Sequence, residues 1–351
     1  MKVLMMATGL TGYLDACFRQ LIEIDDVDLK IITRRSRENV AYKPFPITQR
    51  VPVHAWDGEP SGHELNEIVD DFDPDAILVH SWHVPPYRTV LKHRAGRSLR
   101  VLWMDNNWLG TPKQWVGRLT SRWFVHRLFD TAFVPCERTE AFALRLGFEE
   151  NDILRGSLTA DTDLFGAPPH TGAELVERSR FLSALRMVHH KGADVLADAY
   201  AQYRTLTEDP WQLHVAGDGP LLATLTDLPG VTSHGFLQPS ELAMLMHRSS
   251  AYINPSRAEP YGVVLHEATA ASLPILTSSG VGAAPTMVQD GYNGWLVPPG
   301  DARALATAMA RLSESSADRL GDMSKVSHAL AQRLSPQGWA RNMHGFLAAR
   351  I

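Results

Sequence analysis

The sequence predicts an α/β protein of two domains. Short apolar runs bounded by turn residues recur from end to end, amphipathic stretches follow many of them, and 351 residues exceed the usual size of one hydrophobic core. Apolar runs of this kind are the mark of strands buried on both faces, as in parallel βαβ units.

The first half should carry strands near Val3–Ala7, Leu29–Thr33, Ala76–His80, Val101–Met104 and Ala132–Pro135. In the second half strands are expected near Phe181–Leu185, Leu213–Ala216, Val231–Gly235, Ala251–Asn254, Pro274–Thr277 and Trp295–Val297. The stretch Ala193–Tyr203 sets Val195, Leu196, Ala199, Tyr200 and Tyr203 on one helical stripe. The strand rhythm breaks between Thr159 and Glu177, in the Pro- and Gly-rich DTDLFGAPPHTG, which sets expected domains at 1–168 and 169–335. In 336–351, Trp339, Met343, Phe346 and Leu347 recur at helical spacing, so a terminal helix should pack back on the N-terminal domain.

Charge and cysteine usage narrow the function. With 34 basic and 39 acidic residues the formal charge is -5, which gives no general attraction to nucleic acid or anionic lipid, so any phosphate binding must be local. Cys17 and Cys136 are too few for a disulfide framework or a cysteine metal site, and the histidines lack zincin-like spacing, so no metal is expected and a reducing cytoplasm fits. MKVLMMATGL reads as a first buried strand rather than a signal peptide. No segment approaches the roughly 20 apolar residues that span a bilayer. The aromatic and basic stretch Trp115–Phe129 has two readings: an ordinary half-buried helix, or a peripheral contact with the inner membrane face.

Open parallel sheets bind ligands beyond the carboxyl ends of their strands. After the first strand, Thr8, Gly9, Thr11 and Gly12 form a turn whose amides could meet an anion at a helix N-terminus, or simply a tight strand-to-helix turn. The turn after Phe181–Leu185 carries Arg186 and Lys191, two cations able to neutralise a diphosphate, or else a solvated basic turn. In NPSRAEPYGVVLHEATAASLP a loop carries Glu259 and a helix takes Glu267 into apolar surroundings. A carboxylate placed there needs a partner, and sugar hydroxyls are good donors to it. His80 stands at a strand end and is an acceptor-side candidate.

EPYGVVLHE, from Glu259 to Glu267, resembles the E-x7-E element of retaining GT-B glycosyltransferases of the glycogen-synthase-like superfamily, glycosyltransferase family four. LRMVHHKG resembles that family's G-R-L-x-x-x-K-G turn, AGDGP its A-G-x-G-P turn, and DGYNGWLVPPGD its closing loop, while TGLTG and PDAILVHSW match its first half more loosely. The resemblance implies two Rossmann-like domains whose parallel sheets face a central cleft. It implies a nucleoside-diphosphate sugar as donor, a hydroxyl-bearing acceptor, no cofactor, no metal, and retention at the anomeric carbon. Glu259 would bind donor-sugar hydroxyls, the amides of Tyr261, Gly262 and Val263 would contact sugar or phosphate, and Glu267 would hold the ribose. Arg186 and Lys191 would grip the diphosphate, with the base near Phe236, Gly217 and Gly219 and the glycine loop contributing Gly12. On the acceptor side Asp105 or Asn106 stands where many relatives have histidine; Thr286 replaces a common glutamate, and Leu185 a glycine. The competing readings are a GT-B sugar-nucleotide epimerase, a non-catalytic nucleotide-sugar binder, and a nicotinamide-dependent oxidoreductase. The last needs a complete dinucleotide fingerprint, which TGLTG does not supply.

Overall fold

The computed structural model describes residues 1–34, 45–58 and 60–351. The chain forms two compact units, Met1–Thr159 with Pro336–Ile351, and Ala160–Ser335.

The first unit is built on seven parallel strands: β1 (Lys2–Ala7), β2 (Asp28–Arg34), β3 (Val53–Trp56), β4 (Ala76–Val79), β5 (Leu99–Trp103), β6 (Thr131–Val134) and β7 (Ile153–Arg155). Their order is β3-β2-β1-β4-β5-β6-β7. Successive strand residues face opposite sides, and Val3 through Ala7 are all buried, so β1 is covered on both faces. Both β2 and β4 pair with β1, so the strand order reverses there and the loops leaving β1 and β4 flank a topological switch point.

The helix Pro336–Ala348 belongs to this unit. It buries Trp339, Ala340, Met343 and Leu347, and leaves Phe346 half-buried. The Trp339 ring lies 5.9 Å from Phe18, 5.8 Å from Trp103 and 5.9 Å from Phe133, and its Nε1–H donates to the Ser157 carbonyl at 3.1 Å. An aromatic cluster of this size supplies much of the apolar burial at that end of the sheet.

The second unit has six parallel strands: β8 (Arg180–Ala184), β9 (Gln212–Ala216), β10 (Val231–Ser233), β11 (Ala251–Asn254), β12 (Ile275–Ser278) and β13 (Gly294–Val297). They run β10-β9-β8-β11-β12-β13, with the reversal at β8, between β9 and β11. The helix Ala193–Leu206 turns Val195, Leu196, Ala199, Tyr200 and Tyr203 into a core shared with Phe181, Leu213 and the helix Ala302–Ser313.

Three expectations need correction. The chain enters the second unit at Ala160 rather than after residue 168, because the intervening segment is hydrogen-bonded into that unit. Ala160 N–H donates to His266 Nδ1 at 3.0 Å, Ala167 N–H donates to the Ala270 carbonyl at 3.0 Å, and the Ser272 hydroxyl donates to the Ala167 carbonyl at 2.7 Å. The edge strands β3 and β7 were not expected, and β10 stops at Ser233 instead of reaching Gly235. The buried His266 imidazole accepts at Nδ1, so its proton sits on Nε2, 3.3 Å from the Ala331 carbonyl, and burial pushes its pKa down to about 4.

Candidate functional site

In the second unit the loops leaving β8 and β11 flank the switch point and bring Lys191 and Glu259 together. The β8 loop closes through Lys191 N–H to the Val188 carbonyl at 3.1 Å and Gly192 N–H to the His189 carbonyl at 3.0 Å. Gly192 has φ 73°, and a Cβ there would stand 2.3 Å from the Pro255 carbonyl oxygen, so only glycine lets the two loops approach this closely. Lys191 Nζ ion-pairs with the Glu259 carboxylate, their side chains 17% and 15% exposed. At that burial the attraction is screened less than at an open surface.

Arg257 fixes the two loops in register. Its Nη1 donates to the His189 carbonyl at 2.7 Å and to Asp194 Oδ1 at 2.6 Å, and its Nη2 donates to Asp194 Oδ2 at 2.7 Å. Its backbone N–H reaches the His190 carbonyl at 3.0 Å. Hydrogen bonding from this guanidinium holds the Asp194 carboxyl below the usual carboxylate range. Neither residue was singled out from the sequence. The available signal was an arginine two positions before Glu259 and an aspartate in the first turn after Lys191, but their pairing exists only in space.

The Glu259 loop is also tied to the one leaving β12. Glu259 N–H donates to the Gly280 carbonyl at 3.2 Å, Gly282 N–H to the Glu259 carbonyl at 3.0 Å, and Ala283 N–H to the Tyr261 carbonyl at 2.8 Å. Tyr261 is buried, and Gly262 caps the helix Val263–Ala270. Glu267 lies on that helix, half-buried, and no hydrogen-bond donor among the described residues meets its carboxyl. The partner expected of it is therefore not supplied by the described part of the chain. Dense surroundings raise the Glu267 pKa to about 8, with the Asp161 charge adding to the rise. Burial likewise raises the Tyr252 phenol, and the charges of Glu267 and then Glu259 add to it, so both carboxyls lie within electrostatic reach of one ring.

The glycine turn after β9 abuts the β8 loop. Leu185 N–H donates to the Ala216 carbonyl at 3.0 Å, and Met187 N–H to the Asp218 carbonyl at 2.9 Å. At Gly217, with φ 121°, a Cβ would lie 2.0 Å from the Leu185 carbonyl oxygen. Gly217 N–H donates to the Gly235 carbonyl at 2.6 Å, which places the exposed Phe236 one residue from the same turn, and Gly219 follows Asp218. Arg186 is exposed on the β8 loop and makes no ion pair with the described residues. Lys191 and Glu259 thus meet directly, Glu267 shares their neighbourhood, and Arg186 is held only by its place on the loop. In DGYNGWLVPPGD the polar residues have local duties: Asn293 Nδ2 donates to the Met287 carbonyl at 3.0 Å, and Asp301 caps the helix Ala302–Ser313.

The first unit holds the remaining candidates. Gly12 opens the helix Gly12–Leu21 behind Thr11, whose hydroxyl oxygen is buried with no partner among the described residues. Thr8 leans on Ser81, their hydroxyls 2.9 Å apart, which joins the loops leaving β1 and β4. Burial pushes the His80 imidazole down while the Asp105 charge opposes that shift, so His80 and Asp105 face one another electrostatically. Asn106 is exposed. Among the described residues no cluster of His, Cys, Asp or Glu is arranged to hold a metal ion.

The two parallel sheets, of seven and six strands, match the fold of GT-B glycosyltransferase structures. HepE from Anabaena, solved in complex with UDP and glucose, superposes with a TM-score of 0.77 over 99% of this chain and 100% of its own, at 16% identity. Sucrose-phosphate synthase from Thermosynechococcus elongatus superposes with a TM-score of 0.75 over 99% and 98%, at 18% identity. At such identities the likeness is one of fold. Residues 178–315 match the model of the family described as glycosyl transferases group 1. The glycogen synthase of Mycobacterium tuberculosis is 28% identical over 279 residues, 71% of this chain and 63% of the synthase, so the chain spans less than two thirds of that relative. The GDP-mannose-dependent alpha-(1-6)-phosphatidylinositol monomannoside mannosyltransferase of the same organism is 31% identical over 172 residues, 43% of this chain and 44% of that protein.

Proposed function

We propose that this chain is a retaining glycosyltransferase that moves a sugar from a nucleoside-diphosphate sugar to a hydroxyl acceptor, with no metal and no further cofactor. The observation that carries the reading is the meeting of Lys191 and Glu259 across the switch point of the unit that matches the glycosyl transferases group 1 model. The bond from the anomeric carbon to the phosphate oxygen breaks and its electron pair stays on the diphosphate. The acceptor oxygen bonds to that carbon from the same face and passes its proton to the departing phosphate. Charge on the leaving group rises as the bond breaks, and Arg186 and Lys191 supply fixed cations where it develops. Glu259, held beside Lys191, accepts from the sugar hydroxyls. Glu267, with no donor from the described residues, accepts from the nucleotide ribose.

HepE was solved with UDP, so uridine nucleotides come first in a test. UDP-, GDP- and ADP-sugars are screened by thermal shift, since a ligand that binds only the folded state raises its melting point. The donor that scores is then incubated with hydroxyl acceptors and the anomeric configuration of the product read by NMR. A glycoside of unchanged configuration is the expected product. An epimerised donor, or binding of every donor with neither transfer nor slow hydrolysis, would replace this reading by an epimerase or a binder.

A further inference from the structure

The helix Pro112–Phe124 is exposed where a helix of a folded domain is ordinarily buried. Trp115, Val116, Leu119, Trp123 and Phe124 are between 47% and 72% exposed, and Ser121 is the only buried residue of the helix. At about 100° per residue, Trp115, Val116, Leu119 and Trp123 fall on one stripe, on the side of the helix opposite Ser121. The helix is well started: Pro112 takes the first position, and Thr111 and Gln114 form a reciprocal capping box. Among the described residues the stripe is met by an aromatic ring only at Trp115, 5.3 Å from the Trp108 ring, and Val116, Leu119 and Trp123 stay open.

We propose that this face docks on an anionic lipid surface. From Asn106 to Phe129 the sequence carries Lys113, Arg118, Arg122 and Arg127 and no acidic residue, within a chain of formal charge -5. Arg118 and Arg122 flank the stripe, and the Arg118 guanidinium lies 5.2 Å from the Trp115 ring. Indole rings over a hydrocarbon boundary with cations at headgroup level are the arrangement that anionic bilayers bind. The same charges disfavour a second copy of the chain as occupant. Two-fold pairing of this face sets Arg118 and Arg122 of each copy near those of the other, with no carboxylate on the stripe to relieve them. The proposal stands independently of the sugar-transfer reading, because it uses no residue of the second unit.

The test is flotation with phosphatidylcholine vesicles and with vesicles of equal parts phosphatidylcholine and phosphatidylglycerol, followed by tryptophan fluorescence. The whole chain should partition at least roughly tenfold more strongly to the anionic vesicles, with a blue-shifted emission, and raised salt should weaken the binding. Leu119→Ser with Trp123→Ser should cut partition by roughly tenfold or more. Arg118→Gln with Arg122→Gln should remove the preference for anionic lipid. All four side chains are exposed, so unchanged circular dichroism is expected of both variants. Wild-type protein that stays off anionic vesicles at low salt overturns the proposal. So does undiminished lipid binding by the folded Leu119→Ser, Trp123→Ser variant, or self-association that this variant abolishes while lipid binding is absent throughout.

Discussion

Replacing Lys191 by alanine removes one of the two cations assigned to the departing diphosphate and leaves Glu259 without its counterion. Loss of one preorganised group facing transition-state charge costs about 2.7–4 kcal/mol, a hundred- to a thousandfold in kcat. The cost to folding should be smaller. The Lys191 and Glu259 side chains keep 17% and 15% exposure, so their pair lies between a surface contact and a buried one, and breaking it should cost about 2 kcal/mol. A domain stable by about 5–15 kcal/mol survives that loss, so lost activity would not reflect unfolding. Steady-state transfer from the donor found by thermal shift gives the first number, and urea unfolding the second. Adding Glu259→Ala removes the orphaned carboxylate, so the double variant should be more stable than the sum of the single effects implies. A Lys191→Ala enzyme within about twofold of wild-type kcat/KM would refute the role.

Two further perturbations test the same unit. Glu267, raised from 4.5 to about 8, contributes stability that is complete below pH 4.5 and is lost as pH rises toward 8, whereas His266, lowered from 6.5 to about 4, contributes stability present above pH 6.5 and lost as pH falls toward 4. Calorimetry of the unliganded chain should therefore show stability level between pH 4.5 and 6.5, where the two opposite slopes cancel, and falling on either side, and Glu267→Gln should flatten the alkaline side; an unaltered alkaline slope would show that Glu267 is not its source. Gly192→Ala places a methyl group against the Pro255 carbonyl at a backbone angle suited to glycine, and should lower stability by about 2 kcal/mol or more in urea unfolding while weakening donor binding through Lys191.

The central strands were legible because burial on both faces writes an uninterrupted apolar run, as in VLMMA of β1 and AILV of β4. The strands β3 and β7 stand at the two edges of their sheet, and Val53, His54 and Ala55 are only half-buried, so they leave no such run. Edge position explains β10 as well, whose three residues keep partial exposure. Within the site, the roles proposed for Lys191, Glu259 and Glu267 came from their places after strands and from family-like motifs. Their pairing did not, since hydrophobic periodicity is silent about which charges meet across a long stretch of chain. Arg257 shows the same limit: four hydrogen bonds to the neighbouring loop and helix make it a keystone, yet in SRAEP it is one more loop arginine.

The first unit is discontinuous: its sheet ends at β7, and the helix carrying Trp339 follows only after the whole of Ala160–Ser335. During synthesis the aromatic cluster of Phe18, Trp103 and Phe133 therefore waits for its fourth ring until the second unit has already left the ribosome. The usual order, in which the N-terminal domain matures first, therefore cannot run to completion for this unit before the second has been made. The later-encoded unit can close its core while the earlier one still exposes apolar surface to chaperones.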